Sequence, residues 1–195
     1  MQLKWTAVAL AALTLVACGK KEEAAAPAAA PAPTAAAPAA APAGETLLVK
    51  IGHVAPTSGP IAHLGKDNEF GAKMAIEDLN AKGLKIGDKV AKFELVAEDD
   101  AGDPKQGTAV AQKLVDEKVN GVVGHLNSGT TIPASKLYSD AGIPQISPSA
   151  TNPKYTRQGF KTTFRVVADD TQLGGTLGKY AVETLKGKNL SLIHI

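Results

Sequence analysis

The chain has 195 residues, with 21 basic against 19 acidic side chains and a formal net charge of +2. With three Tyr, four Phe and one Trp besides, it offers neither a basic footprint nor stacking platforms, which argues against a nucleic-acid partner. A single cysteine, Cys18, excludes an intramolecular disulfide.

The chain opens with a positive residue, Lys4, followed by an almost unbroken apolar stretch from Trp5 to Ala17. That stretch is too short for the roughly 20 residues a membrane-spanning helix needs, and it has the dimensions of a signal-peptide core. It closes on Leu15-Val16-Ala17-Cys18, which resembles a bacterial lipobox. The resemblance implies that residues 1–17 are a lipoprotein signal peptide and that Cys18 is lipidated as the first mature residue. Gly19 follows rather than Asp, so the sequence does not choose between inner and outer membrane. Residues 18–44 then form an Ala/Pro-rich linker. Its prolines remove helical donors every few residues, so it is expected to be disordered and extended, reaching on the order of 80 Å at most.

The remaining roughly 150 residues suffice for one well-buried α/β domain. Leu47–Val54 is rich in β-branched residues and predicts a first strand, which ends in the breaker-dense turn Ala55-Pro56-Thr57-Ser58-Gly59-Pro60. Lys66–Lys82 predicts a helix with Phe70, Met74 or Ala75, Ile76 and Leu79 near its buried face and Gly83 as its left-handed stop. Val90–Glu98 alternates as a second strand. Asp103-Pro104-Lys105-Gln106 opens the next helix with Asp at N-cap, Pro at N1 and Gln at N3, and Val110, Leu114 and Val115 are its buried stripe.

Val119–Gly124 predicts a third strand, Thr131–Ala141 a helix ended by Gly142, and Ile143–Ser147 a fourth strand. Thr162–Val167 reads as a fifth. Thr171–Lys186 is amphipathic, with Leu173, Leu177, Tyr180, Ala181 and Leu185 on one side. Strands alternating with helices imply right-handed crossovers and a mostly parallel, Rossmann-like sheet flanked by helices. The last run, Leu190–Ile195, starts a strand and stops. It also matches the in-frame translation of a common sequencing-adapter end, so a shortened reading frame with a foreign tail is expected.

Two polar turns, His125–Thr131 and Ser147–Thr151, follow the carboxyl ends of strands, the edge where open α/β sheets bind ligands. Ser128, Gly129, Thr130 and Thr131 stand where a helix begins, and its free N–H groups and dipole favour an anion. Small hydroxyl residues there offer both donors and acceptors to a small zwitterion, most simply an amino acid. The competing reading is that Ser128 or Thr130 merely caps its helix.

Several stretches together resemble the leucine/isoleucine/valine-binding proteins of bacterial ABC transporters, which have the type I periplasmic-binding-protein fold. They are Ser58-Gly59-Pro60-Ile61-Ala62 with Gly65, Asp99-Asp100 with Asp103-Pro104-Lys105-Gln106, Gly124-His125-Leu126 with Ser128, Pro133-Ala134-Ser135, and Pro148-Ser149-Ala150-Thr151. Order and spacing match from about Val49 to Lys188. The resemblance implies two lobes closing on a ligand, with residues 45–166 as the first lobe and 167–195 as the start of a second that is largely missing. It implies that Ser128 binds the ligand's α-carboxylate through its hydroxyl and N–H, aided by the N–H of Thr151. The carbonyl of Ser149 and the hydroxyl of Thr151 would receive the α-ammonium, with Asn127, Ala150 and Leu64 also lining the site.

Two departures accompany the match. Leu64 stands where leucine-binding relatives place an aromatic, so the apolar pocket differs in shape. The positions of a disulfide in some relatives are here Gly102 and Asn127.

The acidic run Glu98, Asp99, Asp100, Asp103 lacks the spacing of a calcium loop and reads as a solvated strand-to-helix turn. His53, His63, His125 and His194 show no paired metal spacing, and His125 reads as a satisfied histidine rather than one that orients the ligand turn. No G-x-G-x-x-G follows the first strand and no G-x-S-x-G elbow is present, so neither dinucleotide chemistry nor serine hydrolysis is expected. The reading is therefore of a non-enzymatic, cofactor-free, monomeric solute-binding subunit, periplasmic and membrane-anchored or simply exported. It would deliver an aliphatic amino acid to an inner-membrane ABC permease. The alternative is a sensory domain for amino acids, amides or related small acids that signals rather than transports.

Overall fold

The computed structural model describes residues 45–189 and 191. β1 (Thr46–Ala55) leads into α1 (Ala62–Lys82), and a two-residue strand β2 (Lys85–Ile86) turns into β3 (Lys89–Asp99). Then follow α2 (Pro104–Asp116), β4 (Gly121–Gly124), α3 (Ser128–Asp140) and β5 (Gln145–Ser147). A 3-10 turn (Pro153–Arg157), β6 (Thr163–Arg165) and α4 (Asp170–Lys179) complete the order, α4 continuing through a π-helical turn (Tyr180–Thr184). The sheet order is β2-β3-β1-β4-β5-β6. Every pairing is parallel except the β2–β3 hairpin, so the expected mostly parallel sheet is present.

The chain steps from β1 to β3 on one side, then crosses β1 to lay β4 on the other. That reversal makes the carboxyl ends of β1 and β4 a topological switch point, where adjacent loops diverge and leave a crevice.

Residue parity decides which face each side chain takes. Val54 and Val122 pack with Ala111 and Leu114 of α2 and with Ala134 and Tyr138 of α3, and Val119 and Ile143 complete that core. A Cβ on Gly52 would come within 2.9 Å of Leu114, so α2 lies close on this face. On the opposite face Ile51, Leu95 and Val123 meet Ala72, Ile76 and Leu79 of α1 around a cavity of about 430 Å³. Ile146 and Phe164, in register with each other on that face, are 39% and 49% exposed.

Several boundaries differ from the expected ones. α1 begins at Ala62, not Lys66, because its N-cap position is Ile61, which makes no side-chain cap for a reader to find. Phe70 and Met74 lie on its outer side, 56% and 66% exposed, while Ala72, Ile76 and Leu79 turn to the sheet. β2 and the 3-10 turn have no counterpart in the sequence reading. In α2 the buried stripe is Gly107, Ala111 and Leu114, with Val110 and Val115 packed at its margin. α3 begins at Ser128 rather than Thr131 and carries Pro133 inside it. The stripe of α4 exists, but Leu177, Tyr180 and Leu185 are 67%, 54% and 66% exposed. The signal peptide, Cys18, the linker to Gly44 and most of Leu190–Ile195 lie outside the described residues.

Candidate functional site

The turn after β1 is shaped by an aspartate on β3. Asp99 Oδ1 accepts from the N–H groups of Thr57 at 2.9 Å, Ser58 at 3.3 Å and Ala101 at 2.8 Å. Partial burial works against this charge, but the Ser58 hydroxyl and those N–H groups hold the carboxyl below its ordinary value. A Cβ on Gly65 would collide with the carbonyl of Pro56, so glycine lets the first turn of α1 close onto this loop. Leu64, in that same turn, is 43% exposed at the rim.

Asp100, the next residue, is fully buried, which corrects the reading of this acidic run as a solvated turn. Its Oδ2 lies 2.9 Å from His125 Nδ1, and His125 Nε2 lies 3.2 Å from the Tyr138 hydroxyl; all three side chains are inaccessible. Burial pushes the His125 pKa down despite the raising effect of Asp100, and burial pushes the Tyr138 hydroxyl well up. Burial opposes the Asp100 charge too, but hydrogen bonds from His125 and the Gly102 N–H leave its pKa lowered. These directions fit one tautomer: Nδ1–H donates to an ionised Asp100, and Nε2 accepts from Tyr138 O–H.

The chain Asp100–His125–Tyr138 ties β3, β4 and α3 together across the end of β1. The His125 carbonyl extends the tie by accepting from the hydroxyls of Thr131 at 3.1 Å and Ser147 at 2.8 Å. His125 is thus satisfied and also fixes the start of the polar turn.

Past His125, the Asn127 carbonyl accepts from the hydroxyls of Thr130 at 3.0 Å and Thr131 at 2.7 Å. Asn127 is the N-cap residue of α3 but makes no side-chain cap, and its Oδ1 is buried without a partner. The N–H groups of Ser128 and Gly129 open the helix with no carbonyl one turn back to receive them. A Cβ on Gly129 would meet nothing within 4 Å, so open space lies beside the first turn of this helix. The Ser128 hydroxyl does not cap the helix. It accepts the N–H of Asn152 at 3.1 Å, which joins the two polar turns directly.

The second turn is built around Ser147, whose Oγ accepts from the N–H groups of Ala150 at 2.9 Å and Ser149 at 3.4 Å. The Ser149 hydroxyl is buried and unpartnered. The structure therefore brings Ser128 against the Ser149–Asn152 turn, with Asn127 beside it, while Leu64 lies in the first turn of α1. Gly102 and Asn127 also adjoin: a Cβ on Gly102 would lie 3.9 Å from Asn127 Oδ1. Among the described residues no group of three His, Cys, Asp or Glu is placed to hold a metal ion.

Sequence reasoning missed Arg165, whose buried guanidinium holds the backbone of this second turn. Period-two alternation was the available signal. In Thr163-Phe164-Arg165 it places Arg165 on the same side as the buried Thr163, opposite the exposed Phe164.

Residues 48–194 match the family described as periplasmic binding protein. The chain belongs to that family. The leucine-specific-binding protein of Salmonella typhimurium is 46% identical over 147 residues, a match that covers 75% of this chain and 39% of that protein. Among solved structures, the branched-chain amino acid transporter substrate-binding protein of Streptococcus pneumoniae, in complex with isoleucine, superposes with a TM-score of 0.65 at 33% identity. That match covers 72% of this chain and 39% of the other. A solute-binding protein of Rhodopseudomonas palustris in complex with 3,4-dihydroxybenzoic acid has a TM-score of 0.62 at 26% identity, over 70% of this chain and 36% of its own. The chain thus spans about two fifths of the length of these members of the periplasmic binding protein family, and its sheet is a lobe of that fold.

Proposed function

We propose that this chain forms one half of the ligand cleft of an extracytoplasmic solute-binding protein serving an ABC importer, and that the ligand is a small aliphatic amino acid. The observation that carries the reading is the 3.1 Å hydrogen bond from Asn152 N–H to Ser128 Oγ. It seats a helix N-terminus and a hydroxyl-bearing turn side by side at the switch point, where one small zwitterion reaches both.

In this reading the Ser128 hydroxyl and N–H, with the Thr151 N–H, receive the α-carboxylate. The Ser149 carbonyl and Thr151 hydroxyl receive the α-ammonium. Asn127 and Ala150 line the polar end, and Leu64 lies toward the ligand's side chain. Residues 45–166 make the first lobe, and the segment from 167 leads toward a second. Closure of the two lobes excludes water and strengthens the charged hydrogen bonds. Residues 1–17 direct export, and a lipid on Cys18 with the linker to residue 44 tethers the protein beside its permease. Binding needs no cofactor and leads to no catalysis.

A second reading of the ligand is favoured by the dihydroxybenzoate complex of the Rhodopseudomonas palustris relative together with Leu64. In it the same carboxylate site holds an aromatic acid. Thermal-shift screening of the full-length protein against L-leucine, L-isoleucine, L-valine, amides and hydroxybenzoates separates the two. The first reading predicts a rise in melting temperature with an aliphatic amino acid, weakened by Ser128→Ala. A shift with hydroxybenzoates alone establishes the second, and no shift with any carboxylic acid rejects both.

A further inference from the structure

The carbonyls of Ala150, Thr151 and Asn152 all point to one short segment. Arg165 Nη1 donates to Ala150 O at 3.1 Å and to Asn152 O at 2.9 Å, while the N–H of Asp170 donates to Thr151 O at 2.9 Å. The guanidinium is itself fixed. Its Nη2 donates to Thr156 Oγ1 at 2.8 Å and lies 3.8 Å from Asp169 Oδ2, and its side chain is 7% exposed. Asp169 in turn pairs with Arg157 at 2.9 Å and caps α4 by accepting the N–H of Gln172 at 3.0 Å.

A peptide unit is planar and trans, so its C=O and the following N–H point in opposite directions. Holding the Thr151 carbonyl on Asp170 turns the Asn152 N–H the other way, and that N–H is the one bound to Ser128. By the same geometry, holding the Ala150 carbonyl on Arg165 turns the Thr151 N–H away from the guanidinium.

We propose that Arg165 is a positioning residue: it touches no ligand, but it aims the Thr151 N–H into the cleft and locks the binding turn to the segment that leads into α4. The inference rests on the proposed ligand site. It adds that the turn and the segment 165–170 move as one piece, so displacement of that segment is felt at the ligand. A lysine cannot replace this function, since one ammonium lacks the planar fork that spans two carbonyls and a hydroxyl.

The test uses the full-length protein, calorimetric titration with L-leucine and with 3,4-dihydroxybenzoate, and amide hydrogen exchange at Asn152 without ligand. Arg165→Met is expected to weaken binding of whichever probe the wild type takes by about tenfold or more and to speed exchange at Asn152. Arg157→Met removes a different partner of Asp169 without touching the turn, and its affinity should stay within about twofold of wild type. Unchanged affinity in Arg165→Met, or equal losses in both variants, overturns the proposal. If Arg165→Met does not fold, Arg165→Lys decides, and wild-type affinity in that variant overturns the clamp. Should the wild type bind neither probe, the proposed site fails on its own account. The clamp is then judged by exchange alone, and an Asn152 amide as slow in the variant as in wild type refutes it.

Discussion

Mild acid should destabilise the fold through two histidines that it buries uncharged, and replacing one of them should remove a definable share of that loss. His53 is 1% exposed and His125 is inaccessible. His53 Nδ1 lies 3.0 Å from the Val123 carbonyl and donates to it, while Nε2 is buried without a partner. Burial pushes the His53 pKa down, and this outweighs the Val123 hydrogen bond and the charges of Glu69 and Asp100, which raise it; His125 opposes them.

Both rings therefore have folded pKa values below the ordinary 6.5. Below that pH the unfolded chain takes up protons that the folded one refuses, so stability is complete above 6.5 and falls as pH drops through it. Each ring contributes a loss of up to about 1.4 kcal/mol per pH unit for as long as it stays neutral in the fold. His53→Leu keeps an apolar group of similar size on β1 and deletes one of the two contributions.

Urea denaturation of the full-length protein at pH 7.5, 6.5 and 5.5 reads the difference. Between pH 7.5 and 5.5 the wild type should lose up to about 1.4 kcal/mol more than His53→Leu, other titrations cancelling in the comparison. Equal losses in the two proteins, or a wild type that gains stability toward pH 5.5, would mean that His53 is not held neutral in the fold. The lowered carboxyls of Asp99 and Asp100 enter later. Their contribution is present above the unfolded value of 3.8 and is lost only as pH falls below it through the folded values.

Tyr138→Phe leaves His125 Nε2 a buried acceptor with no donor and should cost about 1–3 kcal/mol in chemical denaturation. A loss under about 0.5 kcal/mol would mean the 3.2 Å contact carries no hydrogen bond worth the name. Gly65→Ala drives a methyl into the backbone carbonyl of Pro56, which has no rotamer with which to yield, and should cost about 1–3 kcal/mol or more. Ser128→Ala removes a hydroxyl from the proposed carboxylate site and unpairs the Asn152 N–H. Affinity measured by calorimetry should fall about tenfold to a hundredfold with little change in the denaturation midpoint.

The parts of the fold legible in the sequence were those that carry local chemistry. Asp103-Pro104 announces α2 because the aspartate accepts the N–H groups of Lys105 and Gln106 and the proline needs no donor at the first helical position. Gly83 announces the end of α1 because its φ of 58° suits a residue without Cβ. The start of α1 was not legible, since Ile61 makes no side-chain cap, and that of α3 was bracketed only between Ser128 and Thr131, since Asn127 makes none either. The helical period brings Ala75, Ile76 and Leu79 to the sheet as expected, whereas Phe70, and Met74 as the alternative to Ala75, lie on the outer side.

The candidate site divides in the same way. Ser128 could be named from the helix start it occupies, whereas Ser149 and Thr151 came from the family resemblance. The network behind them could not, because Asp100 reaches His125 across the end of an intervening strand, and only the sheet order brings them together. Arg165 was half legible: strand parity pointed it inward, but nothing local told that its partners would be backbone carbonyls of the preceding turn.

A crystal structure of the full-length protein grown with L-leucine would show whether Ser128 and the Thr151 turn hold one ligand. The expected result places the ligand carboxylate about 2.7–3.2 Å from Ser128 Oγ and the Thr151 N–H, with the ammonium on the Ser149 carbonyl. Leucine bound elsewhere, or a carboxylate turned away from the start of α3, would contradict it.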